Sequence, residues 1–373
     1  MLESPSILLT LAAFVALLAP LIFLHEMGHY LVGRWCGIKA DVFSIGFGRE
    51  VAGWTDRRGT RWKIGWMPLG GYVQFAGDGD AMSTPHEAGA GEPEGSFAAA
   101  RLWKRALTVA AGPAANFIIA IIILAGFALA YGRVATPPVA ASVIAGTPAA
   151  SAGILAGDRI LRLDGRTMEV FQDIPMAVMH RPGQNIAVDI ERGGRVMTVD
   201  LRPQLVSETD QWGNKMERAI IGIFPPAPVR ADVSLAEAPL VGAKLAWELT
   251  RQMAEVVGQL FTGQRSVKDL GGPIKIAQAS GEQASLGFAP FLFFAALISL
   301  NLGFVNLLPM PMLDGGHLLF QAIEAVRRRP VNVETQQWAF RLGFMAMILL
   351  MLIVTFNDLG SLGLWEKLAG LTG

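Results

Sequence analysis

Apolar residues run almost unbroken from Ile7 to Leu24, from Leu107 to Ala130, from Phe288 to Leu308 and from Leu342 to Phe356. A helix of roughly 20 apolar residues crosses the ~30 Å hydrocarbon core of a bilayer. The pattern therefore predicts four transmembrane helices, the first continuing to about Val32. The fourth run is short; it is extended at its start by Trp338-Ala339-Phe340-Arg341 or crosses with little tilt. Between the second and third runs the period changes. Ile160, Leu161 and Leu163, then Ile186-Ala187-Val188-Asp189-Ile190 and Val196-Met197-Thr198-Val199, read as short strands separated by turns. Val241, Leu245, Leu249, Met253, Val256 and Leu260 follow at helical spacing and predict an amphipathic helix, either on the outer membrane surface or packed on the spans. The connection between the first two runs holds two strand-like pieces, Val42-Phe43-Ser44-Ile45 and Trp62-Lys63-Ile64-Gly65-Trp66, the latter leading into Pro68-Leu69-Gly70-Gly71-Tyr72-Val73. Residues 77–96 turn acidic and glycine-rich and read as a loop, with His86 exposed and not a ligand.

Composition agrees with a membrane chain. Of 373 residues 52% are apolar and only 17% charged, and mean hydropathy is +0.41. The lone Cys36 excludes an internal disulfide framework and a CxxC zinc ribbon. Formal charge is zero, and the one basic block is Arg327-Arg328-Arg329, so nucleic acid is not an expected partner. Basic residues instead set orientation. Residues 1–3 carry no Lys or Arg, whereas Arg34, Lys39, Arg49, Arg57, Arg58, Arg61, Lys63, Arg101, Lys104 and Arg105 crowd the first connection. That connection is expected to be cytoplasmic. Alternation then places residues 131–287 outside, the Arg327-Arg328-Arg329 connection inside and the C-terminus outside. The first run lacks a basic n-region and a small-residue cleavage site, so it is expected to be retained.

The candidate chemistry lies at the end of the first run, His25-Glu26-Met27-Gly28-His29. On a helix the two histidines stand at i and i+4, so both imidazoles leave one face and can reach one ion. Glu26 can then act as base toward a water that the ion activates. Ionisable groups at membrane depth are costly and are functional candidates by default. Catalytic zinc usually takes three protein groups. The third candidate is Asp314, in Asn301-Leu302-Gly303-Phe304-Val305-Asn306-Leu307-Leu308-Pro309-Met310-Pro311-Met312-Leu313-Asp314-Gly315-Gly316, where two prolines break the third span. An ordinary loop aspartate after a helix end also fits that segment taken alone. His317 reads as a loop histidine outside the motif.

HExxH in a first span together with NxxPxPxLDG at the end of a late span resembles the site-2 protease family of intramembrane metalloproteases, in its bacterial RseP-type form. The likeness covers nearly the whole chain, including Gly112-Pro113-Ala114-Ala115-Asn116 in the second span and an outside PDZ-like insert. It implies that His25, His29 and Asp314 bind Zn2+, that Glu26 is the catalytic base, and that Asn306, with Asn301 at a further family position, binds substrate. It also implies a membrane-associated β-hairpin on the cytoplasmic side, whose edge pairs with an unwound substrate. The implied substrates are single-span proteins such as anti-sigma factors, first trimmed by a site-1-type protease, and leftover signal peptides, in a bacterial inner membrane. One PDZ copy is visible where the best-known members carry two. It begins near Ala140-Ala141-Ser142-Val143, and Ile221-Gly222-Ile223 resembles its carboxylate-binding loop, displaced by circular permutation, or is one more strand.

The expected architecture is a polytopic α-helical membrane protein. Residues 1–33 form the first helix, 34–105 the hairpin and loop, 106–131 the second helix, and 132–228 the periplasmic PDZ domain. Residues 229–287 form an amphipathic linker, 288–326 the third helix with its motif, and 327–373 the cytoplasmic connection, fourth helix and tail. A metal transporter using His25, Glu26 and His29 as a transit site, and a non-catalytic PDZ scaffold, are the competing readings.

Overall fold

The computed structural model describes residues 5–77, 94–179, 181, 183–209, 215–262 and 271–361. Most of the loop read over residues 77–96, with His86, lies outside the described residues. The chain divides into two compact units, Met1–Phe127 with Ala236–Gly373, and Ala128–Leu235.

In chain order the elements are α1 (Ile7–Trp35), β1 (Ala40–Thr55), β2 (Arg61–Phe75), α2 (Leu102–Tyr131), β3 (Arg133–Ala135), β4 (Ser142–Val143), α3 (Pro148–Ser151), β5 (Arg159–Leu163) and β6 (Arg166–Thr167). Then come α4 (Asp173–Met179), β7 (Ile186–Arg192), β8 (Arg195–Leu201), β9 (Gln204–Thr209), β10 (Lys215–Ile220), β11 (Ile223–Phe224) and β12 (Val229–Ala231). The chain continues with α5 (Ala238–Phe261), α6 (Pro273–Ser285), α7 (Phe288–Leu307), α8 (Asp314–Arg327) and α9 (Val333–Ser361).

Among the described residues four helices, α1, α2, α7 and α9, are long and apolar enough to cross a membrane. Most of their apolar surface faces outward, as lipid solvation requires and water would penalise. The fourth starts at Val333, well before the apolar run, because Glu334 to Arg341 continue the same helix. Small residues set the crossings, as expected where helices associate by close approach and not by water exclusion. A Cβ on Gly28 would meet Ala115 Cβ at 2.9 Å, and one on Gly303 would meet Phe117 at 3.0 Å and the Pro113 carbonyl at 3.1 Å.

The amphipathic helix expected over Val241 to Leu260 forms as α5, a second helix, α6, follows within the expected linker, and both pack on the spans. Ala246 of α5 joins Ala120 and Leu124 of α2 and Ala296 and Leu300 of α7 in one apolar cluster. Gly242 permits this, since a Cβ there would lie 2.7 Å from the Ile121 carbonyl oxygen. Helix α6 lies against α1 at Gly281, and the fully buried Asp358 of α9 accepts from the Gly272 and Lys275 N–H groups, both at 3.2 Å, at its start.

Strands β1 and β2 are each bent and pair twice. Residues 40–45 lie between residues 61–64 and 71–75, and residues 50–55 pair with 61–65. The hairpin thus makes a four-stranded antiparallel ribbon with residues 71–75 at one edge. Gly46 and Gly48, at φ +84° and +88°, supply the bend, a conformation that costs other residues energy. Phe43, Val73 and Phe75 bury against Tyr30 of α1.

The second unit is mainly β, with an antiparallel sheet ordered β6-β5-β7-β8. Its core holds Ile160, Leu163, Ile186, Val188, Ile190 and Leu201, following the alternation read in the sequence. Ile221 is buried there and its carbonyl accepts from Ala149 N–H at 2.9 Å. Gly222 turns the chain at φ +85°, and Ile223 opens β11, paired with Val143 of β4.

Candidate metal centre

His25 and His29 lie on one face of α1, 8% and 9% exposed, with their Nε2 atoms 3.2 Å apart. Asp314 reaches them from the far side of the fold. The chain leaves α7 at Leu307, turns through Pro309 and Pro311, and re-enters helix at Asp314, the first residue of α8. Its Oδ2 lies 3.2 Å from His25 Nε2 and its Oδ1 3.5 Å from His29 Nε2. The two imidazole nitrogens and the two carboxylate oxygens thus surround one space, and one ligand atom from each of the three residues lies within 4.8 Å of the others. Zinc–ligand bonds of about 2.0–2.1 Å in a tetrahedral site put neighbouring ligand atoms about 3.3–3.4 Å apart. The residues fit a zinc ion, and a tetrahedral ion held by three protein groups keeps one position open.

Imidazole orientation supports the same fit. His29 Nδ1 donates to the Thr108 carbonyl at 2.9 Å, which leaves the Nε2 lone pair facing His25 and Asp314. The Asn116 amide lies 3.1 Å from His25 Nδ1 and its buried Oδ1 has no hydrogen-bond partner. Turning that amide puts its oxygen on Nδ1–H, satisfies the orphan and frees His25 Nε2 as a ligand. Ser299 of α7 ties this part of α2 by donating to the Asn116 carbonyl at 2.8 Å. Gly112 leaves the space: a Cβ there would lie 2.8 Å from His25 Nε2 and closer still to His29 Nε2. Thr108 carried no motif, and Gly112 and Asn116 belonged to a recognised segment whose role sequence alone did not supply.

A cavity of about 1040 Å³ joins these groups to Glu26, Asn306 and the hairpin edge. Glu26 lies against that edge: its Cγ is 3.2 Å from the position a Cβ on Gly71 would take, and the Val73 backbone N–H bonds to its carboxylate. Asn306 lines the cavity, whereas Asn301 is exposed and is not among the lining residues. His317 is not in a loop. It sits in the first turn of α8, lines the cavity and packs on the Phe340 ring at 4.7 Å between centroids. Gly315 and Gly316 lie in the first turn of α8, where a side chain at either position would collide with backbone of residues 307–311. Ile221, Gly222 and Ile223 belong to the second unit and take no part in this cavity's lining.

Apolar spans that carry a buried HExxH and a converging aspartate define a membrane metalloprotease. The chain belongs to peptidase family M50, the site-2 protease family, whose model, described as "Peptidase family M50", matches residues 13–350. It is 45% identical over 358 residues to a protein of Agrobacterium fabrum named as a zinc metalloprotease, covering 94% of this chain and 95% of that one. A similarly named protein of Rhizobium meliloti is 47% identical over 359 residues, covering 94% and 96%. Metalloprotease MmpA of Caulobacter vibrioides is 35% identical over 393 residues and covers 98% of each chain. Among solved structures, the PDZ domain of an SdrC-like protein from Listeria monocytogenes matches 25% of this chain and 88% of its own, at 22% identity and a TM-score of 0.20.

Proposed function

We propose that this chain is a zinc endopeptidase that cuts single-span membrane proteins within or beside their transmembrane helices, with His25, His29 and Asp314 holding the zinc. The observation that carries the reading is the convergence of His25 and His29 Nε2, 3.2 Å apart, with the Asp314 carboxylate, one oxygen 3.2 Å from His25 and the other 3.5 Å from His29, in a cavity shared with Glu26. Zinc bound there supplies Lewis acidity toward a carbonyl oxygen and toward water. Glu26 takes a proton from the attacking water and delivers it to the leaving amine. Asn306 donates from its amide to the substrate backbone or to the developing oxyanion. Asn301 stands outside the cavity lining, so its part is indirect, through the α7 helix it shares with Asn306.

An intact helix keeps its carbonyls in i to i+4 hydrogen bonds, so the scissile segment unwinds before it reacts. The hairpin edge at residues 71–75 is the strand to which it pairs, in the manner of β-strand addition. The basic first connection places the hairpin and the centre toward the cytoplasmic side of a bacterial inner membrane. The second unit is then periplasmic. It acts as a PDZ domain that binds a chain end near Ile221, Gly222 and Ile223 or excludes bulky substrates until a site-1-type protease has trimmed them. Anti-sigma-factor-like proteins and signal-peptide remnants have the required single-span form.

The test is a cleavage assay in detergent with a tagged single-span segment of an anti-sigma factor, using untreated, chelator-treated and zinc-restored protein. Cleavage lost on chelation and recovered with zinc is the expected result. Cleavage that survives full removal of metal would overturn the reading.

A further inference from the structure

Two charges sit at unfavourable ends of their helices. Arg105 is the fourth residue of α2, where the positive end of the helix dipole disfavours a cation, and Glu324 is in the last turn of α8, where the negative end disfavours an anion. Neither placement helps the helix that carries it. The two meet across 219 residues of chain, an Arg105 guanidinium nitrogen donating to Glu324 Oε1 at 2.6 Å, with only 20% and 21% of the side chains exposed.

Each helix also carries part of the metal centre. Thr108, one turn beyond Arg105, orients His29, and Asn116 further along α2 orients His25. Helix α8 begins with Asp314. At 100° per residue, Asp314, His317, Gln321 and Glu324 fall within about 80° of one another on the helix wheel, and all four line the same cavity. Fixing Glu324 therefore fixes the rotation of α8 about its own axis, and with it the direction in which Asp314 points. A side chain about 5–6 Å from the helix axis moves about 2 Å for a 20° rotation. That displacement equals the length of a zinc–ligand bond.

We propose that Arg105 and Glu324 are positioning residues: their ion pair locks α8 against α2 and aims Asp314 at the two imidazoles. The proposal rests on the zinc reading of the site. An ion pair that served folding alone would change melting temperature and leave metal affinity untouched.

The experiment measures zinc affinity of the full chain in detergent by competition with a chromophoric chelator, with the melting of the zinc-free protein recorded alongside. Arg105→Gln and Glu324→Gln are each expected to weaken zinc binding by at least about tenfold, the lower end of what supporting groups around a metal contribute. The exchange Arg105→Glu with Glu324→Arg is expected to recover most of that loss, since it restores the pair and puts each charge at the favourable helix end. If a neutral variant is not recovered folded, Arg105→Lys takes its place, with a severalfold loss expected. Single variants that bind zinc as tightly as the unmodified protein, or an exchange that recovers nothing, overturn the positioning role while leaving the zinc site standing. Unmodified protein that binds no zinc overturns the reading of the site, and the positioning role with it.

Discussion

Gly112→Ala separates folding from metal binding. Gly112 lies inside α2, where alanine is favoured over glycine by about 1 kcal/mol. Its backbone needs no left-handed conformation, so the helix accepts the methyl group. The site does not. The new Cβ would lie 2.8 Å from His25 Nε2 and closer still to His29 Nε2, where ordinary carbon contacts are about 3.5 Å or more. An ion bound by the imidazoles would lie about 2 Å from each Nε2, so the methyl group takes the space that it needs. Withdrawing the imidazoles would break the Thr108 and Asn116 hydrogen bonds that orient them. Loss of one supporting group costs 10- to 100-fold in metal affinity, so intrusion into the site itself is expected to cost at least about 100-fold. The measurements are zinc per polypeptide by elemental analysis, chelator competition, and thermal melting of the zinc-free protein. A folded variant that binds little zinc is expected, with zinc-free melting lowered only modestly because the helical preference for alanine offsets part of the strain on the imidazoles. Stoichiometric zinc at unmodified affinity would falsify the assigned geometry.

Other expectations follow from the same contacts. Glu26→Gln keeps its zinc content and loses cleavage, because the amide cannot take the proton; a variant as active as the unmodified protein removes Glu26 as base. Asn116→Leu weakens zinc binding by about 10- to 100-fold, since His25 Nδ1 loses its partner, and unchanged affinity would show that Asn116 does not orient the ring. Asn306→Ala lowers the cleavage rate by about 10²–10³ with zinc intact, and a change confined to KM would assign it to ground-state binding. In the second unit the Arg192 guanidinium and the Leu155 N–H hold the Asp158 carboxyl below the usual carboxylate range. A carboxyl depressed on folding stabilises fully above its ordinary pKa of about 3.9 and loses that contribution as pH falls below it. Protection factors of the β5 and β7 amides, referred to the intrinsic exchange rate at each pH, should therefore fall on acidification below pH ~4, and Asp158→Asn should flatten that dependence; an unchanged pH profile in the variant counts against the pair.

Much of the centre was legible because its information is local. An i, i+4 histidine pair needs only helical periodicity, and the double proline before Asp314 marks the break that presents it. Thr108 was invisible because a backbone carbonyl leaves no mark in sequence; its role exists only where α2 crosses α1 at Gly28. Asn116 could be recognised but not given a role for the same reason. The hairpin was legible as two strand-like pieces, whereas the doubling of each strand depends on bends at Gly46 and Gly48, and glycine in a strand does not announce a bend over a plain turn. Within residues 229–287 the helical spacing of Val241 to Leu260 made α5 legible, whereas α6 carried no such signal. Their packing on the spans shows only once the surfaces of α2 and α1 that Gly242 and Gly281 touch are known. His317 was misplaced because nothing after the break at Pro309 and Pro311 signals that helix resumes at Asp314.

The most direct test of the central claim is to map the bond that is cut. A single-span substrate is incubated in detergent with the zinc-loaded protein, and both products are sequenced by mass spectrometry. The account predicts one zinc-dependent cut inside or at the edge of the apolar span, absent with Glu26→Gln. Cuts confined to the soluble flanks, or equal cutting by Glu26→Gln, would contradict it.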